Sequence, residues 1–155
     1  MRTIGIAFLL ATFFITSANA QAPYDHAIGL KFPGGVSVTY KTFITDTRNI
    51  EAEFTAWHQG FRVAGLYEFN FYSFPDIPEL SWFVGPGAHI GFWKNQEDKN
   101  YNSQADIGID GIIGLDYKFK GVPINVSLDW QPAITVIGDA GFTPVFGGIG
   151  VRYTF

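Results

Sequence analysis

The sequence predicts an all-β protein: an eight-stranded antiparallel up-and-down β-barrel. Apolar and polar residues alternate with a period of two through nearly all of the chain after residue 25, as in strands whose two faces meet different surroundings. Two X-Gly pairs, Gln59-Gly60 and Lys120-Gly121, stand where tight hairpin turns are needed. Because no helical pattern, internal repeat or low-complexity tract interrupts this alternation, one β domain is expected.

Composition excludes several classes of function. The chain has 155 residues, of which 47% are hydrophobic and only 15% charged, whereas soluble domains average about 25% charged residues. It contains no cysteine, which excludes a disulfide framework, a thiolate metal site and a cysteine nucleophile. The formal net charge of −4 provides no electrostatic basis for binding nucleic acid, so no nucleic-acid partner is expected.

Residues 1–20 are predicted to be a cleaved signal peptide. Arg2 supplies the positive charge, Ile4 to Ile15 form the apolar segment, and Ala18-Asn19-Ala20 is a small-residue cleavage site. The apolar segment is shorter than the roughly 20 residues that a membrane-spanning helix needs. No later stretch is apolar for long enough either, so a helical membrane protein is excluded and residues 21–155 are expected to form one exported β-barrel.

The alternation defines eight strands in the exported part of the chain. In the best-defined segment, Ile107 to Phe119, the odd positions are mostly large and apolar, while Asp110 and Asp116 fall on the opposite face. The other segments repeat this pattern. The predicted strands are 26–32, 36–43, 49–58, 61–72, 80–93, 105–119, 122–132 and 145–155.

Hairpin pairing tests these strands independently. With Lys120-Gly121 at the tip of a turn, Leu115 faces Val126 and Asp116 faces Asn125, so that apolar residues pair with apolar ones and polar with polar. A slip of one residue would mix the two faces. The pattern therefore favours this register.

The face that points outward decides the class of the barrel. The apolar face is built almost entirely of aliphatic and aromatic residues, whereas the other face mixes charged residues with glycines. Because an eight-stranded barrel has room inside only for packed side chains, small residues and paired charges suit its interior. We therefore expect the apolar face to contact lipid, as in a transmembrane β-barrel, with a soluble lipocalin-like carrier as an alternative. The glycines on the interior face are Gly29, Gly85, Gly91, Gly108 and Gly114.

Aromatic residues and connections agree with a membrane orientation. Aromatic residues gather at the strand ends in two groups, as in the girdles of membrane barrels. If the chain enters from the periplasm, connections 94–104 and 133–144 lie outside the cell, whereas 73–79 is long for a periplasmic turn. The periplasmic group comprises Tyr40, Phe69, Phe71, Trp82, Tyr117, Phe119, Tyr153 and Phe155, and the other group Phe32, Phe92 and Trp130.

The end of the chain resembles a known assembly signal. In Gly150-Val151-Arg152-Tyr153-Thr154-Phe155, the alternating residues Val151, Tyr153 and Phe155 resemble the C-terminal insertion signal of outer-membrane barrels. Residues 26–155 as a whole resemble the small eight-stranded barrels of the OmpX and OmpA transmembrane kind. More narrowly, the segments 87–93, 107–119 and 127–133 resemble short outer-membrane proteins of Bacteroidetes-type bacteria.

This resemblance implies a location and a set of partners. It implies a monomer in the outer membrane of a Gram-negative bacterium, in contact with outer-membrane lipid and lipopolysaccharide and inserted by the barrel-insertion machinery. It brings no catalytic residue and no cofactor. The expected role is structural or one of surface interaction, without an open channel.

Charged residues on the interior face are predicted to form a neutralising network. The Gln59-Gly60 turn places Glu51 opposite Glu68, and a loop at 44–48 places Lys41 beside Glu51. Paired carboxylates can perform acid–base chemistry, but an unpaired charge in a narrow interior is costly, which favours a structural role. The predicted members are Lys41, Glu51, Glu53, Arg62, Glu68, Asp110 and Asp116, with Lys31 as a further cation.

One histidine leaves an enzymatic alternative open. His26, His58 and His89 are too scattered for a metal site, so neither metal nor cofactor is expected. His89 could form a Ser/His/Asp set with Ser127 and either Asp110 or Asp129, as in a lipid A-modifying barrel enzyme, an acyltransferase or deacylase. The His-x-Ser pattern of the deacylase is absent, and the expectation is that the protein is not an enzyme.

Overall fold

The computed structural model describes residues 22–94 and 103–155. Eight strands form a closed antiparallel barrel in which each strand pairs with the next and β8 pairs with β1. This confirms the predicted all-β, eight-stranded antiparallel fold. The predicted signal peptide and most of connection 94–104 lie outside the described residues. The strands are β1 His26–Phe32, β2 Val36–Thr45, β3 Arg48–Trp57, β4 Gly60–Phe71, β5 Leu80–Lys94, β6 Ser103–Lys118, β7 Ile124–Ile137 and β8 Gly141–Thr154.

The prediction of a long connection at 133–144 is wrong. Strand β7 continues to Ile137 and β8 begins at Gly141, so that only residues 138–140 connect them. The strand passes Pro132 because the β7–β8 register shifts between Gln131 and Ala133, which accommodates a residue without an N–H donor.

The predicted register of the β6–β7 hairpin is also wrong, by two residues. Leu115 pairs with Leu128 and Asp116 with Ser127, and the turn runs from 119 to 123. Pro123 lacks the N–H that a paired strand position requires, and β7 begins immediately after it. A shift of two residues leaves every side chain on its predicted face, because successive side chains alternate between faces.

The β3–β4 turn differs by one residue and its register by two. Trp57 pairs with Gly60, so the turn is formed by residues 58 and 59 rather than by Gln59-Gly60. Glu51 therefore lies opposite Leu66 rather than opposite Glu68. Between β2 and β3, Lys41 pairs with Glu51, as the sequence predicts.

The barrel is apolar outside and polar inside. Ile109 and Leu128 are 56% and 57% exposed on the outer face, whereas Lys41 and Glu51 are completely buried inside. Inside the barrel, Leu66, Phe83 and Ile112 form a small buried apolar cluster. The described residues also contain no helix long and apolar enough to cross a membrane.

The two ends of the barrel differ. The proximal end carries His26 and Phe155, whose backbones are hydrogen-bonded to each other, and the turns 46–47, 72–79 and 119–123. The distal end carries the turns 33–35, 58–59 and 138–140. Strands β5 to β8 have 14 to 16 residues, whereas β1 has seven.

Candidate functional site: the charged interior

Six carboxyl groups, four side-chain cations and one histidine are buried among the described residues. All seven residues predicted for the interior network lie there. They are joined by Lys31 and His89, and by two residues that the sequence-based prediction left out of the network, Asp129 and Arg152. Together these side chains form three linked groups along the barrel axis.

Lys41 is the centre of the proximal group. Its Nζ lies 3.2 Å from Glu51 Oε2, 2.9 Å from Glu68 Oε2 and 3.3 Å from Asp116 Oδ2. These partners stand on β3, β4 and β6, so one ammonium group from β2 joins four strands. The ammonium also lies 4.5 Å from the centroid of the Phe83 ring, a cation–π distance.

Arg152 completes this group from β8. Its guanidinium pairs with Glu51, donates from Nε to Thr39 Oγ1 at 2.9 Å and donates from Nη1 to Ser127 Oγ at 2.7 Å. The sequence does hold the information that places it inside: the outward residues Val151 and Tyr153 flank Arg152, so strand alternation turns it inward.

The middle group is built on Lys31. Its Nζ pairs with Glu53 and lies 3.1 Å from Asp129 Oδ1, linking β1 to β3 and β7. Beside it is a void of about 10 Å³ that Gln131 and Arg62 also line, close to the smallest volume that holds one water molecule.

The distal group contains the histidine. Asp110 Oδ1 accepts from Arg62 Nη2 and lies 3.0 Å from His89 Nδ1. Ser127 is not part of this group: its hydroxyl is bound by Arg152, and it pairs with Asp116 near the opposite end of β6. The structure therefore brings His89 and Asp110 together and places Ser127 in the proximal group, so that these three residues form no Ser/His/Asp set. Asp129, the alternative acid, pairs with Lys31 in the middle group.

Aromatic side chains lie beyond the charged groups at both ends. At the distal end, Trp57 contacts Trp93 and Phe146 with ring centroids 4.9 and 5.9 Å apart. At the proximal end, Tyr24 packs edge-on against Phe43 and donates a hydrogen bond to Asp116. Burial, reinforced by the Asp116 carboxylate, raises the pKa of the Tyr24 hydroxyl well above its usual range.

This geometry is that of a cross-strand scaffold. Each cation joins strands that are distant in sequence, and almost every charged atom is shielded from solvent. Several buried polar atoms have no hydrogen-bond partner within the described chain, among them both amide atoms of Asn49 and of Asn70. Within residues 22–94 and 103–155, no three His, Asp or Glu side chains are placed to hold a metal ion.

Comparison with known proteins identifies no relative. No protein-family model matches the sequence, and no curated protein or solved structure is detectably similar to it.

Proposed function

We propose that the protein is a monomeric outer-membrane β-barrel with a structural or surface-interaction role and no open channel. One observation carries the proposal, namely that large apolar side chains cover the outside of the barrel while ten charged residues are buried inside it. In water this arrangement would be unfavourable, because contiguous apolar surface promotes association. In a bilayer it is favourable, because lipid covers the apolar surface and a closed barrel leaves no strand edge unpaired.

Strand length fits the same environment. Strand β3 has ten residues, and ten residues rising about 3.3 Å each at a tilt of about 40° cover about 25 Å, the height of the apolar band of a membrane barrel. Aromatic pairs lie near both ends of the barrel. Tyr117–Phe119 and Phe71–Trp82 are near the proximal end, and Phe61–Phe92 is near the distal end. Rings at the two interfaces are typical of membrane barrels.

The filled interior supports the absence of a channel. Cross-strand ion pairs and aromatic contacts occupy the space that a water-filled pore would need, as expected for eight strands. The proposed partners are consequently those that meet the outside of the barrel: outer-membrane lipid, lipopolysaccharide and, during assembly, the barrel-insertion machinery.

Cell fractionation combined with gel migration tests this proposal. We expect the protein in the outer-membrane fraction, and we expect the detergent-extracted protein to migrate differently unboiled and boiled, because a closed barrel resists detergent unfolding. Recovery in the soluble fraction, without detergent and with identical migration in both lanes, would overturn the proposal and favour the soluble carrier.

A further inference from the structure

The distal mouth of the barrel forms a cup of mixed aromatic and polar character. A cavity of about 300 Å³ is lined by Gln59, Trp93, Lys94, Gln104, Asp106 and Asp139. Trp93 is half-buried, and Trp57 and Phe146 form a chain of ring contacts that begins at its indole. Trp93 supplies the aromatic wall of the cup, and Trp57 and Phe146 pack behind it. Arg62 of the distal group lies 4.2 Å from the centroid of the Phe146 ring.

The walls of the cup are held by hydrogen bonds between neighbouring elements. Asp106 Oδ1 accepts from the backbone N–H of Asp139 at 3.1 Å, which fixes the β7–β8 turn against β6. The backbone N–H of Lys94 donates to the carbonyl of Gln59 at 2.9 Å, which fixes the β3–β4 turn against β5. Hydrogen-bonded backbone thus frames the cup, and most of the side chains that line it are polar.

We propose that this cup binds a neutral sugar unit of a surface glycan. A sugar ring offers an apolar C–H face that packs on an indole, and hydroxyl groups that bond to amides and carboxylates. In the cup, Trp93 can pack against the C–H face of the sugar. Gln59, Gln104 and Asp106 can form hydrogen bonds with its hydroxyl groups. Two carboxylates beside one lysine disfavour a phosphate or other anion, and the polar walls lack the apolar pockets that side chains of a bound peptide would need.

The inference deepens the proposed surface-interaction role and rests on it, because a glycan reaches the cup only if the distal end faces outward. The volume fits one or two sugar units rather than a long chain, since ligand pockets for small molecules start at about 300 Å³. Binding in the millimolar range is therefore expected, because a single open cup buries little of its ligand.

Saturation-transfer NMR on the purified, refolded barrel tests the inference. The detergent is lauryldimethylamine oxide, since a detergent with a sugar headgroup would compete for the cup. The probes are a glucose tetrasaccharide and an N-acetylglucosamine tetrasaccharide, each titrated separately. We expect saturable magnetisation transfer from the barrel to at least one of these two oligosaccharides. We expect Trp93→Ala to weaken the binding of that oligosaccharide at least about tenfold.

Two variants serve as controls. Trp130→Phe changes an exposed tryptophan on the outer face and should bind as the unaltered protein does. Gln104→Ala removes one wall amide from an exposed position and should weaken binding less than Trp93→Ala does. Altered gel migration of every unboiled variant verifies that the barrel is folded.

Absence of saturable transfer from the folded barrel to either probe would overturn the sugar site, as would undiminished binding by Trp93→Ala. Because the experiment uses purified protein, its result is independent of where the cell places the barrel. A failure here would leave the fractionation result untouched, and a soluble location would overturn the proposed function without altering the NMR result.

Discussion

Lys41 is the side chain on which the interior charge converges. It is completely buried and lies within 3.3 Å of three carboxylates. Replacing it by methionine removes the ammonium that these carboxylates share while preserving most of the volume. Removing one partner of a buried ion pair costs about 3–5 kcal/mol. We expect Lys41→Met to lower the free energy of unfolding by about that amount, measured by urea unfolding in lipid vesicles.

The matched control is Lys120→Met. The Lys120 side chain is 84% exposed and pairs with Glu79 at 3.2 Å in a surface turn. Solvent screens such a pair, so this variant should unfold at nearly the same urea concentration as the original protein. Equal effects of the two substitutions would contradict the structural role of the interior network.

The outer face provides a second prediction at the residue scale. Ile109 is the outward residue near the middle of β6, whereas Leu128 pairs with Leu115, nearer the proximal end. Arginine at Ile109 should cost about 2–4 kcal/mol in a bilayer, because charge at the midplane loses its hydration. Arginine at Val122, in the proximal turn, should cost about 0–1 kcal/mol. Vesicle refolding measures both, and equal costs would argue against a bilayer around the strands.

Residue faces follow from the sequence more readily than residue partners do. Alternation alone places Lys41, Glu51 and Asp116 inside, since each flanks outward apolar residues. The contacts that side chains make across the barrel cannot be predicted from this alternation. The contact between Arg152 on β8 and Glu51 on β3 depends on how the barrel closes and on the stagger, or shear, of its strands. No local pattern in the sequence encodes either quantity.

At the scale of the strands, turn chemistry accounts for the differences between prediction and structure. The X-Gly pairs lie beside or within the two turns, but both registers differ from the prediction by two residues, and in β6–β7 Pro123 ends the turn. Pro132 marks a register shift inside a continuing strand rather than a strand end. Each proline lacks an N–H group and therefore interrupts the hydrogen bonding between neighbouring strands locally. Whether the strand continues beyond the proline depends on the strand with which it pairs.

The β1–β8 seam rests on a close approach at Gly29. A methyl group at this position would overlap the Val151 carbonyl and the backbone of Arg152. We therefore expect Gly29→Ala to destabilise the barrel by about 1–3 kcal/mol, as overpacking does. The variant should lose its unboiled gel shift at a lower temperature than the original protein.

Gly65→Ala is the control for the seam. Gly65 faces outward, and a Cβ there would meet nothing within 4 Å, so the change should be within about 0.5 kcal/mol. If both alanine variants lost the shift at the same temperature, close packing at the seam would not limit stability. Gly108 resembles Gly29 in being closely packed, because an added methyl group at Gly108 would overlap the Ile134 carbonyl and the His89 ring.

At the scale of the whole molecule, ion pairs cross the interior and the strands differ in length. The ion pairs join strands on all sides of the interior, so closure and charge neutralisation depend on each other. The long strands β5 and β6 supply four of the six residues that line the cup. The proposed sugar site therefore lies on the side of the distal end that β5 and β6 form.

The proposed insertion signal lies at the end of β8. Val151, Tyr153 and Phe155 are all exposed on the outer face, and the ring of Phe155 lies near His26 and Tyr153 at the proximal end. We predict that Phe155→Asp slows insertion in cells and leaves protein in the periplasm, because it removes the aromatic residue proposed to be read by the insertion machinery. Fractionation after pulsed expression measures this effect.

The same substitution removes an aromatic anchor at the lipid interface, so stability has to be separated from recognition. Refolding the purified variant into detergent makes the separation, with Phe119→Asp as a control that removes an exposed aromatic residue from a proximal turn. Normal refolding of Phe155→Asp together with failed assembly in cells would assign Phe155 to recognition. Failed refolding in detergent would assign it to stability, and normal assembly in cells would contradict the insertion signal altogether.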